Sequence, residues 1–415
     1  MDGVVSQFKD LWKELKISND AFIRTTDQKH VDAVRDFIER MVKAGDVYKG
    51  EYEGWYCTPD ETFFTELQLK GGKCPQCGRE VRKLKEESYF FRLSRYRESL
   101  LSMYKENPSF LSPQSRSKEI INRVESGLND VSISRTSVKW AIPFPNDEKH
   151  TVYVWVDALI NYLSAIGWPD GKAADFWPAD VHIIGKEINW FHSVIWPAML
   201  LSIGMKAPRK VFAHGWWTVE GKKMSKSVGN AVDPREVIGK YGLDAFRYFL
   251  FREMPFGEDG DFSEKALVAR INGELVDDLG NLVYRTLSLA EKFGEKIEGM
   301  PELDKELDLE GIKKKMGDLD ISGALEGIWS YIRQSNKYIN ENEVWKLKGA
   351  EMGNALYNLL ESIRIISILI SPFMPDAADE INRQIGAKGG GIKDCSFGRF
   401  SGKVSKGKYL FQKIK

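Results

Sequence analysis

The sequence carries no net charge, because sixty Lys and Arg residues balance sixty Asp and Glu. That excludes a global field for drawing in nucleic acid, so any such partner must be met by a local basic face. No apolar run is long enough to cross a bilayer, and stretches such as 363–370 have the length of a core helix. Neither a secretory signal nor a transit peptide opens the chain. Cysteine is scarce, four in 415 residues, with three between Cys57 and Cys77, a distribution unlike a disulfide framework. Short-period repeats and low-complexity tracts are missing too, and only 389–391, three glycines, reads as a flexible connection. The five histidines are His30, His150, His182, His192 and His214. No strand with a phosphate-binding turn stands at the front. What is present, 42% hydrophobic and 29% charged residues, fits a cytoplasmic globular protein, and the length calls for two or three domains.

Phe8, Leu11, Trp12 and Leu15 recur at helical spacing, so residues 4–16 read as an amphipathic helix. Thr25 followed by Gln28 is a capping box for the next helix, which carries Val31, Val34, Phe37, Ile38, Met41 and Val42 on one face and stops at Gly45. His30 in its first turn has no second ligand nearby and reads as a surface or helix-end residue. Next come Cys57 in Tyr-Cys-Thr-Pro-Asp and the tight turn Cys74-Pro-Gln-Cys77-Gly78. Two thiolates two residues apart grip one ion, Cys57 is a third, and Asp60 stands where a fourth ligand would be. The expectation is a closed, structural zinc site of Cys57, Asp60, Cys74 and Cys77. Beyond it, 88–93 reads as a strand, 115–126 as a helix and 131–136 as a strand entering a turn, with Arg135 a candidate anion contact.

The middle of the chain reads as a parallel sheet. Residues 152–156, 181–184 and 211–215 are apolar, strand-like runs, each leading into a helix or a loop. Ligands of such sheets lie at the carboxyl ends of the strands. Trp155, Ala158, Tyr162, Ile188, Phe191 and His192 gather near those ends and describe an aromatic pocket with one hydroxyl and one imidazole. It would suit a polarizable apolar side chain, a thioether against aromatic rings being worth ~0.3–1.5 kcal/mol per contact. The third strand leads to Gly221-Lys-Lys223-Met-Ser-Lys226-Ser-Val-Gly229, a glycine-flanked run whose ammonium and hydroxyl groups suit phosphate oxygens. Asp233-Pro234-Arg235-Glu236 opens a helix, with Asp233 as cap. From about residue 266 strand signals vanish, and helices at 264–294, 318–342, 349–370 and 375–386 describe a bundle.

With these residues in view, the chain resembles the methionyl-tRNA synthetases of class I over essentially its whole length. Residues 223–227 are the family's KMSKS signature letter for letter, 153–162 match the segment that carries the methionine pocket, and 184–192 match the next. The resemblance implies that Trp155, Ala158, Tyr162, Ile188, Phe191 and His192 bind methionine, with Tyr162 and His192 at the sulfur. It implies adenosine contacts from Gly185 and Glu187, the latter replacing a frequent aspartate, and a place for Arg135 in a Ser-Arg element near the active site. Lys223 and Lys226 would take pyrophosphate charge, Lys226 also binding ATP. Asn281, Arg285 and Trp345 would read the anticodon.

The implied fold is α/β plus all-α: an incomplete Rossmann-type catalytic domain with a zinc-knuckle insertion, followed by a helical-bundle anticodon-binding domain. Its expected parts are 1–50 (rest of the first Rossmann half and start of the insertion), 51–131 (insertion with the zinc knuckle), 132–222 (second half), 223–265 (KMSKS loop and stem contacts) and 266–415 (bundle). Incomplete describes the front, since no histidine here stands in the family's His-x-Gly-His pattern. The chain would then begin roughly a hundred residues into the architecture. The implied partners are methionine, ATP with Mg2+, tRNA(Met) and one structural zinc, in a cytoplasmic monomer with no membrane contact and no appended tRNA-binding domain. Two rival expectations are a non-catalytic tRNA(Met)-binding fragment and a class I synthetase for an aliphatic amino acid. The short insertion, with little room for an editing domain, argues against the second.

Overall fold

Where hydrophobic residues recur every three or four positions the chain is helical, and the helices sort into two cores. The computed structural model describes residues 2–58, 62–64, 66, 69–75, 77–170, 175–219, 221–224 and 230–415. They form two units, Ser18–His214 and Met1–Ile17 with Gly215–Lys415.

In the first unit, helix Gln28–Lys43 buries Ala33, Val34, Phe37, Ile38 and Met41. Asp27, not Thr25, occupies its cap position, and no side-chain cap bond forms. A long antiparallel pair, Val47–Cys57 with Arg82–Phe91, leads out to the cysteines and back. The parallel sheet has the order Leu111–Ser112, Val211–His214, His182–Gly185. Two of its members match the expected runs, but 152–156 is not the third. Strand Asp147–Val152 ends there, pairs antiparallel in a separate small sheet, and helix Val154–Ser164 starts two residues later. The physical reason lies in the pattern. Val156, Leu159, Ile160 and Leu163 are buried at helical spacing while Val154 is 61% exposed, and a five-residue apolar run cannot by itself tell a strand from a buried helix start. Phe37 stacks on Trp196 at 5.7 Å, tying the first helix to the core.

The second unit is mainly helical. Helix Asp2–Glu14 belongs to it: Glu14 pairs with Arg235 at 2.8 Å, and Lys16 pairs with Asp376. Asp233 caps helix Pro234–Tyr241, accepting the Arg235 N–H at 2.8 Å. Helices Ile321–Glu341, Gly349–Ile370 and Pro375–Ile385 fall where expected. The expected 264–294 helix runs as Glu264–Arg270, a π-helical Ile271–Gly280 and Asn281–Phe293. Gly349–Ile370 is buried on almost every face, as its apolar composition requires of a central helix. It nevertheless carries Glu361 and Arg364, paired at 2.7 Å. Glu361 Oε1 also accepts the backbone N–H groups of Arg399 and Phe400, and Arg364 donates to the carbonyls of Asp394 and Ser396. The C-terminal segment is thus pinned to the bundle by a buried ion pair. Among the described residues, no helix is long and apolar enough to cross a membrane.

Candidate active site, metal knuckle and nucleic-acid face

Trp155, Ala158 and Tyr162 stand three and four residues apart on helix Val154–Ser164, so they share one of its faces. Ile188, Phe191 and His192 come from the 3-10 turn Lys186–Ile188 and the π-helical turn Phe191–Ile195 that follow strand His182–Gly185. The fold joins the two groups. Trp155 stacks on Phe191 with centroids 4.2 Å apart, and Tyr162 Oη lies 2.8 Å from His192 Nε2. The proton order of this chain is fixed by its far end. His192 Nδ1 lies 3.0 Å from the Ile188 carbonyl, which only accepts, so Nδ1 carries the hydrogen. Burial lowers the His192 pKa and keeps the ring neutral, so Nε2 accepts from the Tyr162 hydroxyl, itself pushed up to about 12 by burial. Beside the Trp155–Phe191 stack the remaining cavity is only about 20 Å³, lined also by Tyr153, Val156 and Ile195.

Two histidines matter here in ways the sequence did not show. His182 stacks on Tyr162 at 4.0 Å and is 3% exposed, and neither ring nitrogen has a hydrogen-bond partner among the described residues. Burial, then the neighbouring His192, pushes its pKa down to about 3. His30, expected to be a surface or helix-end residue, stands at the helix start but is fully buried. Its Nε2 lies 2.5 Å from Asp157 Oδ1 and its Nδ1 2.8 Å from Ser164 Oγ, two turns apart on the pocket helix. Only the packed partners, Asp157 and Ser164, reveal why a polar ring is buried there.

Gly185 ends the strand, and a Cβ there would lie 2.6 Å from Glu187 Oε2, so the Glu187 carboxyl folds back over it. Arg135 sits with its guanidinium carbon 4.2 Å from the Tyr153 ring centroid and donates to Ser132 Oγ at 2.6 Å. In the other unit, strand Trp217–Val219 pairs with Lys222–Lys223 on one side and Gly260–Asp261 on the other. Asp261 accepts from Thr218 Oγ1 at 2.7 Å and from the Gly221 N–H at 2.9 Å, fixing the turn ahead of the KMSKS run. Gly215 opens this region because a Cβ there would meet the Glu258 carbonyl oxygen at 2.2 Å. Lys226 and the Lys223 side chain lie outside the described residues.

Cys57, Cys74 and Cys77 converge, their sulfurs within 4.8 Å of one another and those of Cys57 and Cys77 3.5 Å apart. Thiolates about 2.3 Å from one tetrahedral zinc stand roughly 3.8 Å from each other, so this donor set fits the ion. The Gly78 N–H closes on the Cys74 carbonyl at 3.0 Å with Gly78 at φ +72°, the relaxed turn expected after Cys-x-x-Cys. Asp60 lies outside the described residues. On the bundle, Asn281 is exposed, Arg285 donates to Asn340 Oδ1 at 2.8 Å, and its guanidinium carbon stands 5.9 Å from the ring of Trp345, which is 50% exposed. The three expected anticodon residues therefore include one cation–aromatic contact.

Comparison with known proteins is consistent across sequence and structure. The family model described as tRNA synthetases class I (M) matches residues 1–86 and 80–287. A methionine–tRNA ligase of Caldanaerobacter subterraneus is 49% identical over 93% of this chain and 63% of its own length, and one of Thermotoga maritima 48% over 92% and 64%. The corresponding ligase of Clostridium acetobutylicum is 44% identical over the whole chain and 68% of its own. The chain thus spans just under two thirds of the first two. A solved structure of Mycobacterium tuberculosis methionyl-tRNA synthetase in complex with methionyl-adenylate superposes with a TM-score of 0.89 at 40% identity, covering 97% of this chain and 85% of that one.

Proposed function

Because this chain belongs to the methionyl type of class I tRNA synthetases, we propose that it serves methionine–tRNA ligation: ATP-dependent formation of methionyl-adenylate and transfer of the methionyl group to the 3′ end of tRNA(Met). The observation that carries this reading is the joined aromatic pocket, where Trp155, Ala158, Tyr162, Ile188, Phe191 and His192 surround one hydroxyl–imidazole pair. The methionine carboxylate attacks the α-phosphate of Mg-ATP, pyrophosphate leaves, and the tRNA terminal hydroxyl then takes the acyl group as AMP departs. In such phosphoryl transfers the protein acts by positioning and by stabilising developing charge. The thioether packs against Trp155 and Phe191 with Tyr162 and His192 at the sulfur, Gly185 and Glu187 hold adenosine, and Lys223 and Lys226 meet the pyrophosphate. In this scheme residues 132–222 hold methionine, 223–265 carry the KMSKS loop, and 266–415 read the anticodon through Asn281, Arg285 and Trp345. The three thiolates, with Asp60, hold a structural zinc. The working protein is a cytoplasmic monomer.

Methionine-dependent ATP–pyrophosphate exchange tests the reading. Exchange that falls about 10²- to 10³-fold in Lys226→Ala supports it. Metal analysis is expected to return about one zinc per chain, lost in Cys74→Ser. A second reading is a non-catalytic tRNA(Met)-binding chain, in which Arg285 and the half-exposed Trp345 of the bundle would still meet RNA. Absence of exchange, together with tRNA binding that weakens in Trp345→Ala, would select it.

A further inference from the structure

Helix Asn281–Phe293 carries a second aromatic–cation cluster that the anticodon-type residues do not account for. The Tyr284 ring stacks on Tyr409 with centroids 4.0 Å apart and planes 16° from parallel, and Lys406 Nζ lies 3.9 Å from the Tyr284 centroid. At about 100° per residue, Tyr284 stands roughly 60° to one side of Asn281 and Arg285 roughly 40° to the other. Asn281 therefore stands between two aromatic–cation clusters, Trp345 with Arg285 and the Tyr409–Tyr284 stack with Lys406.

The outer cluster is built on a fixed segment. Before Tyr409, the Ser405 and Gly407 N–H groups bond the backbone and side-chain oxygens of buried Gln384, whose amide in turn donates to the Lys408 carbonyl. After it, Ile414 and Asn272 exchange two hydrogen bonds, and Lys413 pairs with Asp277. Leu410, Phe411 and Ile414 pack against the bundle core, whereas Tyr409 is 58% exposed. A ring needed only to clamp the segment would be turned inward like those neighbours. Residues 401–415 also hold five lysines and no Asp or Glu, giving this flank a local positive field on a chain of zero net charge. The Tyr409 hydroxyl, then Lys406, draws the Tyr284 phenol below its ordinary range.

We infer that the Tyr409–Tyr284 stack with Lys406 is a second stacking platform for an unpaired RNA base, beside the base held near Asn281 and Trp345. Successive rings along a positive groove are how single-stranded nucleic acid is held without sequence readout, each base stack being replaceable by any other base. This inference rests on the proposed tRNA-binding role of the bundle, and the test separates the two. Binding of a tRNA(Met) transcript to the full chain is measured for wild type, Tyr409→Ala, Tyr409→Leu, Tyr409→Phe and Trp345→Ala. Tyr409→Ala and Tyr409→Leu are expected to weaken binding about 5- to 100-fold, and Tyr409→Phe to retain it. Wild-type affinity in Tyr409→Ala or in Tyr409→Leu, beside a loss in Trp345→Ala, would overturn the platform and leave the proposed function standing. Unchanged binding in both Tyr409→Ala and Trp345→Ala would overturn both.

Discussion

Two buried polar clusters, the Glu361–Arg364 pair of the bundle and the histidines of the pocket, are treated in opposite ways. In the bundle, Glu361 and Arg364 satisfy each other and close on four backbone groups of the C-terminal segment. In the pocket, the Tyr162–His192 chain is short, and His182 beside it has two ring nitrogens without a partner among the described residues. A closed network fixes a segment in place, because removing any member strands the others. An open one is destabilising by itself and is tolerated where a site must meet a ligand. The difference teaches that one buried polar cluster holds a segment in place while the other leaves ring nitrogens open, although unpartnered buried atoms such as Thr286 Oγ1 occur in the bundle too.

The largest effect should come from opening the closed network. Glu361→Ala is expected to destabilise the bundle by about 3–5 kcal/mol in denaturant unfolding, since it strands a buried guanidinium and two N–H groups. A loss below about 1 kcal/mol would break the comparison. Next is His182. Its folded value is depressed to about 3, so below the ordinary value near 6.5 the unfolded chain binds more protons and stability falls as the pH drops. The slope should approach about 1.4 kcal/mol per pH unit between pH 6.5 and 5, and His182→Phe should remove that share of it. An unchanged slope in the variant would show that the ring is paired in solution. The smallest effect belongs to Tyr162→Phe, which leaves His192 Nε2 without its donor and should cost about 0.5–1.5 kcal/mol of stability. Its KM for methionine should rise more than its kcat falls, read by pyrophosphate exchange at varied methionine.

Much of this was legible in the sequence because it depends on local pattern. The bundle helices follow the 3.6-residue period, Asp233-Pro234 announces its helix, and Cys74-Pro-Gln-Cys77-Gly78 announces a thiolate turn. The pocket residues could be named because two of their segments end on apolar strands or begin buried helices. What was not legible depends on partners distant in sequence. His30 meets Asp157 and Ser164 across more than a hundred residues, and Asp261 meets Thr218 and Gly221 across about forty, with no periodicity to signal either. The run 152–156 misled for a different reason: five apolar residues satisfy a strand and a helix start equally, and only the burial of Leu159, Ile160 and Leu163 decides between them.

The Trp155–Phe191 stack has a consequence for how tightly a ligand can be held. The cavity of about 20 Å³ beside it is only a little above the ~10–15 Å³ that a single water needs, so a side chain larger than a water could enter beside the stack only if the rings part. The apparent affinity is then the intrinsic affinity scaled by the fraction of molecules whose rings already stand apart. Loosening the stack, for example with Phe191→Leu, would raise that fraction and admit smaller side chains along with the intended one. A ligand entering beside this stack would then be selected partly by how rarely the rings part.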